Sequence, residues 1–89
     1  MADLTSAEQR VRIDYLKREL ETGTTMANLA VTEWSLGKTV SAKRAEQYAK
    51  RAYTDFMRFL PAAENYFSLS DRAEVNGKRE DLEALLVLM

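Results

Sequence analysis

The sequence predicts an all-α fold: a long antiparallel helical hairpin plus a C-terminal helix, arranged like a three-helix bundle. Composition is the first reason. One proline and three glycines in 89 residues leave little punctuation, and Ala, Leu, Glu, Lys, Arg and Gln, all good helix formers, dominate the rest. Periodicity is the second. Apolar residues recur at helical spacings of about 3.6 residues through most of the chain. The length suits a single domain over residues 1–89. A chain of this size buries about 60 to 65% of the surface its unfolded form exposes, so self-association offers it further burial.

The first helix is expected over about residues 6–36. Thr5 followed three positions later by Glu8 has the form of a capping box, in which each side chain satisfies an orphan amide of the first turn. From there Ile13, Leu16, Leu20, Gly23, Ala27, Ala30 and Trp34 form a heptad seam that passes straight through the weak stretch "TGTT". The seam favours one continuous helix, with Trp34 in the packed hairpin. The competing reading breaks the helix at Gly23 and restarts it with Thr24 or Thr25 as cap. Gly23 costs about 1 kcal/mol relative to Ala in mid-helix, but on the seam its missing side chain allows a neighbouring helix to approach closely. Leu29 and Leu36 point away from the Leu20 and Trp34 side. A helix apolar on two faces is usually packed on two faces, so a third helix or a second copy of the chain is expected to cover them.

Gly37 stands where a left-handed cap ends the first helix. "LGKTVS" then supplies the turn, and Ser41 is expected to cap a second helix over about residues 41–60. At about 100° per residue, Tyr48, Phe59, Ala52, Ala45, Phe56, Ala49, Ala42, Leu60 and Tyr53 fall in one arc of about 140°, and Lys43, Arg44, Gln47, Lys50, Arg51, Thr54 and Arg58 fill the opposite side. Aromatic residues face inward and cations face water. Pro61 ends the helix or bends it, because it cannot donate the next amide and restrains Leu60.

Ser68 or Ser70 caps a third helix over about residues 70–88. Val75, Leu82 and Met89 repeat at heptad spacing, with Leu85 and Leu86 beside the seam. Asn76 and Gly77 interrupt it, and an alternative start lies near Lys78. The final segment "EDLEALLVLM" carries Val87 and Leu88 partly outside its stripe. That excess apolar surface either docks within the chain on the second apolar face of the first helix or, as the favoured reading, is buried in a homodimer with Leu85, Leu86 and Leu88 at or near the contact.

The residue inventory argues against an enzyme. With neither cysteine nor histidine, the chain has no thiolate nucleophile, no disulfide, no zinc-thiolate site and no imidazole base. Ser6, Ser41, Ser68 and Ser70 lack a histidine or an evident lysine to activate them. Glu80, Asp81 and Glu83 are read as acids in the first turns of a helix, where they favour the positive end of its dipole. The three glycines are too far apart for a phosphate loop, and Tyr15, Tyr48, Tyr53 and Tyr66 are read as core or rim packing. No cofactor and no metal are expected. Fourteen acids against thirteen bases provide no global field toward nucleic acid or membrane. "MADLTSAEQR" has no apolar segment suited to a secretion signal, and the chain has no run of roughly 20 apolar residues; a cytoplasmic protein without membrane contact is expected.

The cationic face is the strongest signal apart from the core. Lys38, Lys43, Arg44, Lys50, Arg51 and Arg58 stand against Glu46 and Asp55 between Lys38 and Leu60, six bases to two acids, whereas seven bases face twelve acids elsewhere. Lys43, Lys50, Arg51 and Arg58 are the candidate partner-binding residues. The leading reading is a solvated face paired with acids of a neighbouring helix or of another subunit; as a binding surface they suit an acidic protein partner, and the alternative partner is the phosphate backbone of a nucleic acid.

The stretch "NLAVTEWSLGKTVSAKRAEQYAKRAY" resembles a single tetratricopeptide-type hairpin: Leu29 with small Ala30 after it, Gly37 in the turn, Ala42 early in the second helix and Ala49 one heptad later. A second register, matching Leu36, Gly37, Ala49, Tyr53 and Pro61, fits the same pattern. Met26, Glu33 and Glu46 depart from it. A microtubule-interacting-and-transport type three-helix bundle is similar at this level of detail. The resemblance implies a helical hairpin engaged in peptide or protein recognition.

Overall fold

The computed structural model describes residues 5–89. Residues 1–4, which begin the stretch read for a secretion signal, lie outside the described residues. Three helices follow in order: α1 (Ser6–Ser35), α2 (Thr39–Ala63) and α3 (Leu69–Val87), with a short 3-10 turn at Glu64–Tyr66 before α3. The principal dimensions are 51 × 22 × 16 Å.

The Thr5 hydroxyl accepts the Glu8 amide at 3.2 Å and starts α1 where the capping signal predicts. The helix passes through Gly23 without a break, and tertiary packing supplies the reason. A Cβ on Gly23 would lie 2.7 Å from Cδ2 of Leu82 and 3.4 Å from Cβ of Ala52, so this is where α2 and α3 both close on α1. Ile13, Leu16, Leu20, Gly23, Ala27 and Ala30 are buried along the seam. Trp34 is not. It remains 40% exposed, in the last turn of α1, where it lines a hollow with Val31, Glu46, Leu88 and Met89.

Gly37 adopts φ +75°, the left-handed conformation that favours glycine. The Lys38 amide donates to the Glu33 carbonyl at 2.9 Å and the Gly37 amide to the Trp34 carbonyl at 3.1 Å, the two bonds of a Schellman closure. This tight closure lets α2 start at Thr39, two residues before the predicted Ser41, with Lys38 at the N-cap and no side-chain cap. At its other end α2 passes Pro61 and runs to Ala63, which is buried. Proline in a last turn forfeits one amide bond, and the packing of Phe56 and Ala63 offsets that loss.

The α1 and α2 helices are antiparallel; α3 runs parallel to α1, since Arg10 and Lys17 meet Asp71, Glu21 meets Lys78 and Gly23 meets Leu82. Ser68 and Asp71 form a reciprocal capping box at the start of α3, and Ser70 lies inside the helix. Asn76 and Gly77 leave α3 unbroken, because Val75 and Leu82 on either side are both buried. The Glu80, Asp81 and Glu83 acids therefore lie beyond the middle of α3, not in its first turns, and Glu83 accepts a hydrogen bond from the Tyr53 hydroxyl of α2.

Asp71 anchors this arrangement. Its carboxylate is buried and accepts both terminal nitrogens of Arg10, each at 3.1 Å, Nζ of Lys17 at 2.9 Å and the Ser68 amide at 3.1 Å. Hydrogen bonds from Arg10 and then Lys17 hold the Asp71 carboxyl well below the usual carboxylate range, against the opposing effect of burial.

Candidate functional site

The α1–α2 hairpin has two long sides, and α3 covers one of them. On that side Tyr53 and Leu60 of α2 are partly buried against the core. On the other side no helix follows, so Tyr48 and Phe59, placed by the sequence pattern in the inward arc, stay 49% and 45% exposed. They sit at the edge of the arc that α3 does not reach. The second apolar face of α1 is open for the same reason: Leu29 and Leu36 are exposed.

Leu29, Tyr48 and Phe59 line shallow hollows between α1 and α2. At one end Val11, Arg12, Tyr15, Phe59 and Ala62 surround a hollow, with the Tyr15 and Phe59 rings edge to face at 5.8 Å. Toward the hairpin turn, Met26, Leu29, Glu33, Arg44 and Tyr48 line a second. The half-buried carboxyls of Glu19 and Asp55 lie near each other between the two ends. Burial, and then the charge of Asp55, push the Glu19 carboxyl up; burial, and then Glu19 and Asp55, push the Tyr15 hydroxyl up, while Arg58 works against them. One carboxylate oxygen of Glu33, Oε2, is buried and accepts no hydrogen bond among the described residues.

The predicted cations are where the wheel puts them. Lys43, Arg44, Lys50, Arg51 and Arg58 are all exposed on α2. Lys50 reaches Glu46 at 3.7 Å, and the Arg51 guanidinium lies 5.8 Å from the centre of the Tyr48 ring. Lys43, Arg44, Arg51 and Arg58 form no ion pair among the described residues. The structure adds a distinction that the count of charges did not carry. Arg44, Arg51 and Arg58 are spaced at seven residues along α2: Arg44 lines the second hollow with Tyr48, Arg51 lies against the Tyr48 ring, and the charge of Arg58 reaches the Tyr15 hydroxyl, whereas Lys50 pairs with Glu46, which lines the hollow shared with Trp34 and Leu88 on the other flank of α2.

The candidate self-association residues divide. Leu85 and Leu86 pack partly against the chain's own core, while Leu88 is 71% exposed beside Val87. Leu88 and Met89 share a small hollow with Val31 and Trp34.

Among the described residues, no three acidic, histidine or cysteine side chains gather to hold a metal ion, and no helix is long and apolar enough to cross a membrane. Comparison of the chain with protein-family models, with curated proteins and with solved structures gives no match.

Proposed function

We propose that this protein is a small, non-enzymatic helical module that binds a protein partner or assembles with one. The observation that carries the reading is the asymmetry of the hairpin. One side is closed by α3 and by an ion-paired aspartate; the other leaves Tyr15, Tyr48 and Phe59 half exposed beside arginines without ion pairs. Aromatic residues and arginine are the side chains enriched in the centres of protein interfaces. The α1–α2 hairpin around Gly37 serves in this reading as the tetratricopeptide-like recognition element, in a cytoplasmic setting that suits a chain free of cysteine.

A second reading, a nucleic-acid-associated protein, rests on the exposed cations Lys43, Lys50, Arg51 and Arg58. One experiment separates the two. A photo-crosslinking amino acid is placed at Phe59 in the cell, with the same group at exposed Asn76 on α3 as a control. A protease-sensitive adduct at Phe59 and none at Asn76 supports the interaction module, and an adduct of twice the chain's mass makes the partner a second copy. A nuclease-sensitive adduct supports the second reading. No adduct at Phe59 overturns the proposal.

A further inference from the structure

We infer that the groove between α1 and α2 receives a single amphipathic helix of a partner protein, apolar along one stripe and acidic along the flank that lies over α2. The inference rests on the interaction reading above and names the chemistry of the partner element.

The argument begins with spacing. Arg44, Arg51 and Arg58 repeat at seven residues, about 10.5 Å apart along α2 at 1.5 Å per residue. A partner helix lying along the groove presents acids at the same heptad interval and on one flank, so all three arginines are met together. An extended strand covers about 10 Å in three residues, and because its side chains alternate, successive acids at that interval point to opposite faces. The row therefore fits a helix and does not fit a strand.

Apolar surface is the second consideration. The groove presents Val11, Tyr15 and Phe59 at one end and Leu29 and Tyr48 at the other, all exposed. From residue 11 to residue 29 the groove is about 27 Å long at the helical rise, enough for five turns of a partner. A helix in this position completes the bundle as its fourth member, on the side of the hairpin that α3 leaves open.

Charge disposes of the other occupants. A second copy stacked on this face with α2 against α2 sets one arginine row against the other. With α2 against α1 about a parallel two-fold axis, the Glu19 and Asp55 carboxyls meet their own counterparts. A nucleic-acid backbone laid in the groove brings phosphates onto the same carboxyls, and burial already pushes Glu19 up. A protein helix places its acids over the arginine rim alone and keeps neutral side chains above Glu19 and Asp55.

The test uses the full chain and two labelled synthetic helices of about 21 residues, three heptads with leucine at the seam positions. One carries Glu along a single flank; the other carries Lys at the same positions. Fluorescence anisotropy is read for the wild-type chain and for the triple variant Arg44→Glu, Arg51→Glu, Arg58→Glu, with circular dichroism confirming that the variant keeps its helices. The expected result is binding of the Glu helix to the wild type, a loss of more than about tenfold in the variant, and recovery with the Lys helix. Phe59→Ser is expected to weaken both matched pairs. Equal binding of the two helices, binding of neither, or insensitivity to the triple substitution overturns the inference. A protein adduct at Phe59 in the crosslinking experiment would then leave the broader interaction reading standing.

Discussion

The two long sides of the α1–α2 hairpin are built from the same pair of helices and end in opposite states. Toward α3, Leu82 fits against Gly23, Asp71 is closed off by Arg10 and Lys17, and Tyr53 is tied to Glu83. Away from α3, side chains as large and apolar, Tyr48 and Phe59 among them, remain half in water. Hydrophobicity alone does not decide burial. What decides it is whether another element lies opposite, and in this fold Gly23 marks the covered side because its missing side chain lets Leu82 of α3 come close.

The contrast breaks most severely at Leu82. Leu82→Ala is expected to cost about 3 to 4 kcal/mol in chemical denaturation, as other buried Leu→Ala changes do, since it empties the place where α3 meets Gly23. A cost below about 1 kcal/mol would mean that α3 is not held against α1 by this contact.

Asp71 probes the same side by charge. Asp71→Ala is expected to cost about 3 kcal/mol, because Lys17 is left with a poorly hydrated charge and the cap of α3 is lost. The sign of its pH dependence follows from its depressed ionisation. The contribution is fully present above the ordinary aspartate value of about 3.9 and is lost as pH falls below it toward the folded-state value. Acid titration of stability should therefore be steeper for the wild type than for Asp71→Asn below about pH 4, and equal slopes would remove Asp71 from its anchoring role.

Trp34 lies at the boundary between covered and open. At 40% exposure, Trp34→Ala is expected to cost about 1 kcal/mol, a surface-edge value, where a tryptophan closed inside the seam would cost about 3 to 5. The urea midpoint of the variant distinguishes the two.

The smallest effect belongs to the open side. Replacing Lys43, Lys50, Arg51 and Arg58 together by Gln is expected to change stability by no more than about 0.5 kcal/mol per site. Circular dichroism through a thermal melt checks it; a collapse of the fold would show that these cations hold the hairpin together.

Local signals in the sequence were enough for the fold class, the turn at Gly37, the continuous first helix and the basic face of α2. Each depends on side chains close together along the chain: the heptad of Ile13, Leu16, Leu20, Ala27 and Ala30, the left-handed glycine, the wheel positions of Lys43, Lys50, Arg51 and Arg58. The capping box of Ser68 and Asp71 was equally readable as a serine followed three residues later by an acid, although the deeper role of Asp71 was not, since Arg10 and Lys17 lie more than fifty residues away in sequence. Tertiary structure decided the rest. It set Tyr48 and Phe59 at the open edge, left Trp34 half exposed, carried α3 through Asn76 and Gly77, drew Leu85 and Leu86 to the core and left Leu88 outside. A helical wheel gives the direction in which a side chain points, but burial requires a neighbour in that direction, and the side on which α3 docks is settled by contacts between residues far apart in the chain.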